Sequence, residues 1–251
     1  MAEFGFGKKK KGPSKKWTKK EIDAECLKFD KRREEAEERE GDVEIRDAIF
    51  DKALFLKDEA KDYTESEKVF RLAYEKTGGA SRKMEILFEI LLMNLENYNM
   101  EAIKKDVAAC KGLIDEGADW DKKNKLKVFE GVYCMLIRDF NRAAELFLSN
   151  TATFTCVELM DYKDFVFYTV IMSMVTQDRK TLKKEIIHSP DVLSCIRDIP
   201  NLKNFSDSFY NCKYGDFFVS FVDIIDVVSE DKYLRQHVHF FTKQMRLVAY
   251  K

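Results

Sequence analysis

The chain has 251 residues, with 44 Lys and Arg set against 45 Asp and Glu, and a formal net charge of −1. That balance excludes a protein that binds polyanions by bulk charge, while the length suffices for one large or two ordinary domains with a substantial core. Three prolines and ten glycines are too few for a β protein with many turns, so an all-α chain of helices joined by short loops is expected.

Residues 1–17 read as a basic disordered tail. Lys8, Lys9, Lys10, Lys11, Lys15 and Lys16 crowd around Gly12-Pro13, with too little apolar surface to fold. The block "KKKKGPSKK" is a candidate nuclear-import signal, and the lysines alone would give nucleic acid only salt-sensitive, unspecific attraction. No apolar run follows the lysines, so no secretory leader is expected. The longest apolar run, "FVFYTVIMSMV" at 165–175, is too short to span a bilayer. Cys26, Cys110, Cys134, Cys156, Cys195 and Cys212 are scattered with no CxxC, as expected of reduced thiols in the cytoplasm or nucleus.

A charged lead-in helix is expected over 18–41. Thr18 and Glu21 have capping-box spacing, "KRREEAEERE" places opposite charges three and four apart, and Gly41 ends the segment. It has little apolar face, so it is expected to be exposed. From Asp42 the apolar residues recur at helical spacing. The successive stripes are Ile45, Ala48, Ile49, Ala53 and Leu56, then Tyr63, Ser66, Phe70, Ala73 and Tyr74. After "TGGAS" come Met84, Leu87, Phe88, Leu91, Leu92 and Leu95, then Met100, Ile103, Val107, Cys110 and Ile114, stopped by Gly117. Leu126, Phe129, Tyr133, Leu136 and Ile137 follow. Each stripe fits an amphipathic helix better than an alternating strand.

A larger period overlies these stripes. "DYTESEKVF", "NYNMEAIKK" and "DFNRAAELF" each set a polar residue and an aromatic before the second helix of a pair. The steps are 35 residues from Asp62 to Asn97 and 42 from Asn97 to Asp139. These bracket the periods of helix-turn-helix arrays, of which tetratricopeptide (TPR) repeats have about 34 residues. In "RDFNRAAELFL" the small Ala143 and Ala144 lie between the large Phe140 and Phe147. That pattern lets one helix approach another closely while its aromatic neighbours interlock. The fold class predicted is therefore a right-handed solenoid of TPR-like helical hairpins over 42–188.

The remainder is also helical. "VELMDYKDFVFYTVIMSMV" is apolar nearly all round and is expected to be buried on most sides. Breaks fall at Pro190 and Pro200. Two last stripes follow: Tyr214, Phe217, Phe218, Phe221, Ile225 and Val228, then Leu234, Val238, Phe241, Met245 and Val248. The last runs to Lys251 without a capping signal, as if more chain would follow.

No constellation for catalysis emerges. "TGGAS" lacks the Lys-Ser/Thr of a phosphate loop, and His237 and His239, two apart on a helix, would point away from each other. His188 beside Ser189 has no acid to complete a triad. No catalytic residue, cofactor, metal or small-molecule substrate is expected. Trp120 reads as a hairpin anchor packing on the preceding helix, with a partner hot spot as the alternative.

The stretch "EGADWDKKNKLKVFEGVYCMLIRDFNRAAELFLSNTATFTCVELMDYKDFVFYTVIMSM" closely resembles the solenoid-plus-PCI lid subunits of the 26S proteasome regulatory particle, the family of regulatory particle non-ATPase subunit seven. "EIRDAIFDKALFL", "FRLAYEKT" and "FYNCKYGDFF" look like further blocks of that family in the same order. The resemblance implies a non-catalytic scaffold in ubiquitin-dependent protein degradation, located in the cytoplasm and nucleus. Its partners would be other lid subunits and the ATPase ring, with no membrane. It further implies that residues 189–251 are the helical part of a PCI domain, lacking the family's winged helix. The paralogous signalosome scaffold and a PCI-type nucleic-acid adaptor are the alternatives. Trp120, Phe140, Ala143, Ala144, Phe147, Phe217 and Phe218 are the packing and candidate interface residues.

Overall fold

The computed structural model describes residues 17–39 and 41–250, and among them helices and turns occur but no strand. The expected all-α class holds. The candidate import lysines, Lys8 to Lys11, Lys15 and Lys16, lie outside the described residues. The chain divides into two compact units, one ending at Lys122 and the other covering Lys123–Lys251. This division falls inside the segment 42–188 that the sequence reads as one array.

The first unit holds α1 (Lys19–Glu38), α2 (Asp42–Phe55), α3 (Tyr63–Lys76), α4 (Ala80–Glu96) and α5 (Met100–Asp115). At the start of α1, the Thr18 N–H donates to Glu21 Oε2 at 2.9 Å, the reciprocal half of the expected capping box. Along α1 only Ala36 is buried, yet the helix is tied to α2 throughout. The Trp17 indole N–H donates to Glu59 at 3.0 Å and its ring stands edge-on to Phe55, which also meets Phe29. Lys52 pairs with Asp30 at 2.7 Å and Arg32 with Asp51 at 2.8 Å. Partner numbers fall along α2 as they rise along α1, so the two run antiparallel. Trp17, expected in the tail, is thus anchored by its side chain.

A π-helical turn, Leu56–Ala60, carries α2 toward α3, and Ser66 Oγ donates to the Ala53 carbonyl at 2.8 Å where the two helices cross. Small residues, Ala48, Ala53 and Ala73, and large ones, Phe70, Met84, Leu87 and Leu91, are all buried here. Arg71 on α3 reaches Asp106 on α5 through two hydrogen bonds, at 2.6 and 2.9 Å. The paired nitrogens match the two carboxylate oxygens, which allows the Asp106 carboxylate to be buried.

The second unit contains most of α6 (Trp120–Leu136), then α7 (Phe140–Leu148), α8 (Tyr162–Thr176) and α9 (Arg179–Leu182), which passes into a π turn at Lys183–Ile187. It ends with α10 (Pro190–Ile196), α11 (Leu202–Tyr210), α12 (Tyr214–Glu230) and α13 (Val238–Ala249). The helix expected in the stretch from Val157 starts only at Tyr162; the residues before it form turns. Phe165 to Met174 are all buried, as the apolar run predicts. Pro190 opens α10, where its missing N–H costs nothing. Phe217 is the hub of an aromatic cluster with Phe205, Phe209, Phe218 and Phe221, and Phe221 continues to Phe241. The buried rings among them, Phe205, Phe217, Phe221 and Phe241, each contribute about 1.5–3 kcal/mol. On α12 the inward residue is Ile224; Ile225, expected in the stripe, is half-buried.

One turn recurs between paired helices. Lys61, Tyr98, Arg138 and Cys212 have φ of 55, 55, 67 and 57°, the left-handed region. In three of these turns the next residue's N–H closes back onto the helix just ended: Asn99 to the Asn94 carbonyl, Asp139 to Cys134 and Lys213 to Ser208. This is the Schellman closure, which satisfies carbonyls orphaned at the helix end. The following residue then caps the next helix. Asp62 accepts from the Glu65 N–H, Asn99 from Ala102 and Asp139 from Arg142. Asn97 therefore does not open α5; it ends α4, and Asn99 is the cap. With that correction the steps are 37 residues from Asp62 to Asn99 and 40 from Asn99 to Asp139. Asp178, capping α9 by accepting from Thr181, adds a fourth after 39 more. The period is tighter than the sequence spacing suggested.

Candidate protein-interaction surface

The expected interface residues separate into interior and surface. Phe140, Ala143, Ala144 and Phe147 are buried on α7, and Phe217 is buried on α12. Phe218 is half-buried. These positions build the scaffold and do not face outward. The close approach that the two alanines suggested has its tightest point elsewhere. A Cβ on Gly131 of α6 would lie 3.0 Å or less from three carbons of the Phe147 ring. That ring also meets Phe165 edge-on at 5.5 Å. Gly131 was missed because a lone glycine inside an apolar run carries no sign of what it faces.

Trp120 is the clearest correction. It is the first residue of α6 and 62% exposed, so it does not anchor a hairpin to the preceding helix. The run after it, "DKKNK", faces solvent on one side, and Lys122 and Lys125 are drawn to Glu85 and Glu158. The indole is left outside.

The histidines are placed separately. His237 is buried with Nδ1 accepting from Arg138 Nε at 3.0 Å, while His239 and His188 are exposed. The Arg138 guanidinium also lies over the Phe240 ring. Burial, and then the neighbouring Arg138 charge, pushes the His237 pKa down, so the neutral ring accepts that bond. Among the described residues no group of His, Cys, Asp and Glu has the arrangement to hold a metal ion. Burial pushes the Cys110 and Cys156 thiols up to about 12, which leaves them protonated packing groups. Cys212 is exposed, with Arg179 donating to its sulfur at 3.0 Å.

A buried polar node holds α8 to the segment between α12 and α13. Asp231 accepts from the Tyr168 hydroxyl at 2.6 Å and from the backbone N–H groups of Tyr233 and Leu234 at 2.9 and 2.7 Å. Burial raises its pKa despite these three donors. Nearby Asp164 is pushed up to about 6 by burial first, then by the charges of Asp161 and Asp231. The node is structural, because every donor aimed at Asp231 is spent inside the fold.

Outward-facing apolar residues occur along the chain, and α12 carries three of them: Val219 and Val222, 70 and 58% exposed, and Tyr214. Beside it, α11 and α12 border an open groove of about 450 Å³ lined by Asn204, Asp207, Asn211, Lys213, Asp216 and Val219. Amides and carboxylates at its walls can bond a polypeptide backbone and its cationic side chains. No helix among the described residues is long and apolar enough to cross a membrane.

Comparison with known proteins places these features in a lineage. A family model described as 26S proteasome subunit RPN7 matches residues 14–185. A 26S proteasome non-ATPase regulatory subunit 6 from Oryza sativa subsp. japonica is 36% identical over 229 residues, which cover 91% of this chain and 59% of that protein. The homologue from Arabidopsis thaliana is 36% identical over 226 residues, covering 90% and 58%. The 26S proteasome regulatory subunit rpn7 of Schizosaccharomyces pombe is 31% identical over 238 residues, covering 92% and 59%. The chain thus spans less than two thirds of the length of these relatives.

Proposed function

The chain belongs to the 26S proteasome subunit RPN7 family, and from that membership we propose that it is a non-catalytic scaffold of the proteasome lid. Its work is to be gripped by other proteins in the particle that degrades ubiquitylated substrates. Residues 42–188 serve as TPR-like repeats and 189–251 as the helical part of a PCI domain. The partners are the other lid subunits and, through them, the ATPase ring; the location is cytoplasm and nucleus. The observation that carries this reading is the family match over 14–185, which takes in all four capped helix starts from Asp62 to Asp178. The buried role of Phe140, Ala143, Ala144 and Phe147 fits it, since a scaffold needs stiffness more than reactive groups.

Affinity purification of the tagged chain followed by native electrophoresis and mass spectrometry tests the proposal. Lid subunits in stoichiometric amounts, with peptidase-core and ATPase-ring subunits, are expected. Cullin-linked partners would favour the signalosome scaffold instead, nuclease-sensitive material the nucleic-acid adaptor, and a free chain would overturn the reading. For the lysine block, deletion of residues 1–16 should lower nuclear accumulation of a tagged chain while leaving its melting temperature unchanged. The deletion must spare Trp17, which is bonded to Glu59. Unchanged localisation would remove the import role.

A further inference from the structure

The outer face of α12 differs in charge pattern from the other long helices. Asp216, Val219, Val222, Asp223, Asp226 and Glu230 are all exposed, and their spacing of three and four puts them on one side. The helix, Tyr214–Glu230, contains no Lys or Arg at all. Its opposite side, with Phe217, Phe221, Ile224 and Val228, is committed to the core. On α1, α3 and α7, by contrast, carboxylates pair with cations of their own helix: Glu25 with Lys28, Glu37 with Arg33, Glu65 with Lys68, and Glu145 with Arg142. On α12, none of the four carboxylates makes an ion pair among the described residues. Asp223 accepts a hydrogen bond from the neutral Asn201 amide at 2.9 Å. Like charges three and four apart, as at Asp223, Asp226 and Glu230, weaken an isolated helix. An arrangement that repels itself and exposes two valines is complementary to a surface of opposite character.

We propose that this face docks a basic amphipathic helix contributed by another polypeptide. Val219 and Val222 form a short apolar patch along one edge of the face, which meets the partner's apolar stripe. Asp226 lies between the valines and Asp216, Asp223 and Glu230 run along one side of them, where they take lysines or arginines of the partner. The face from Asp216 to Glu230 is about 21 Å long, enough for some four turns of a partner helix. The adjoining groove between α11 and α12 adds Asp207 and the amides of Asn204 and Asn211, where a cationic side chain reaching over the edge can bond. The carboxylates set the charge of the partner and the speed of encounter, and the valines fix its register.

The test uses the 251-residue chain and a fluorescein-labelled peptide of about 18 residues, four to five helical turns. It is built from leucine and lysine with leucines at helical spacing. Controls are the same composition with the leucines scattered round the helix, and a leucine–glutamate counterpart. Fluorescence anisotropy should give the leucine–lysine helix a Kd at least about ten-fold lower than either control, weakening as salt rises. Val219→Ser with Val222→Ser should raise that Kd by about ten-fold or more while the circular dichroism melt is unchanged, because both side chains are exposed. Asp223→Lys with Asp226→Lys should reverse the preference toward the glutamate peptide. Equal binding of the scattered control, or wild-type affinity in both variants, overturns the proposal. The outcome reads this face alone and does not depend on incorporation into a proteasome.

Discussion

Replacing Gly131 by alanine sets two effects of opposite sign against each other. In an ordinary helix interior the change stabilises by about 1 kcal/mol, because alanine loses less backbone freedom on folding. At Gly131 the new methyl would lie 2.8 Å from Phe147 Cδ1 and 3.0 Å from Cζ, and closer still to Cε1. Carbon atoms prefer about 3.5–4.0 Å, so the ring or the helix must move by roughly an ångström. Phe147 is fully buried and its ring already packs edge-on against Phe165, so it has little room to shift. Overpacking of this kind costs about 1–3 kcal/mol, and a clash with a fixed ring belongs at the top of that range. The net expectation is a loss of about 2 kcal/mol, or a fall in Tm of roughly 4–8 °C for a chain of this size. Gly112 on α5 is the internal control. It is exposed, and a Cβ there meets nothing within 4 Å, so Gly112→Ala should raise the Tm by a few degrees at most. Differential scanning calorimetry of both variants measures the contrast. If Gly131→Ala melts at or above wild type, the α6–α7 contact is looser than described, and the close-packing account of this hairpin fails.

Three further outcomes follow from named contacts. Arg71→Met removes both hydrogen bonds to Asp106 and leaves that buried carboxylate with the Asn94 amide at 3.4 Å. Breaking a wholly buried pair costs about 3–5 kcal/mol, but the arginine is partly exposed, so urea denaturation should show about 2 kcal/mol. Asp164 has its pKa raised to about 6, so the folded chain holds that proton more tightly than the unfolded chain. Its favourable contribution is complete below about pH 4, the unfolded value, and is lost as pH rises through about 6. Asp164→Asn should therefore flatten the stability profile between those limits and add roughly 1–2 kcal/mol at pH 7, allowing for partial solvent access; an unaltered pH profile would contradict the assignment. Finally, Lys61 and Arg138 share a left-handed backbone but differ in what the side chain does. Lys61→Gly should gain up to about 1 kcal/mol of relieved strain, whereas Arg138→Gly should lose about 1–2 kcal/mol with the bond to buried His237. Equal Tm shifts in the two would show that backbone alone governs these turns.

The hairpins were legible because their signals are local. Apolar residues at intervals of three and four placed α2 to α7 by pattern alone, and the repeated polar–aromatic pair put Asp62 and Asp139 at helix starts, where each accepts from the next turn. The errors came where two neighbouring residues offered the same chemistry. In "NYN" both asparagines suit a helix start, and the choice falls to Asn99 because Tyr98 takes the left-handed position between them. Ile224 and Ile225 are likewise alike in the sequence; the core lies on the Phe217–Phe221 side of α12, which selects Ile224. Asp178 went unnoticed because the arginine and lysine after it mask the short helix it caps.

The surface was harder to read, for a physical reason. Burial rewards side chains by type, so a buried phenylalanine or alanine announces itself through periodicity. Exposure has no such signature, since an apolar residue outside is costly only in proportion to its area. Trp120 illustrates the limit: a tryptophan is usually covered, and nothing in "GADWDKK" says that this one begins a helix with its ring in solvent. On α12 the sequence carried the missing information in another form. Seventeen residues with no cation and unpaired acids at helical spacing mark an outer face as surely as phenylalanines mark the inner one. Charge left unbalanced on a helix, in a chain whose total is balanced, is thus a better pointer to an exposed face than any single large residue.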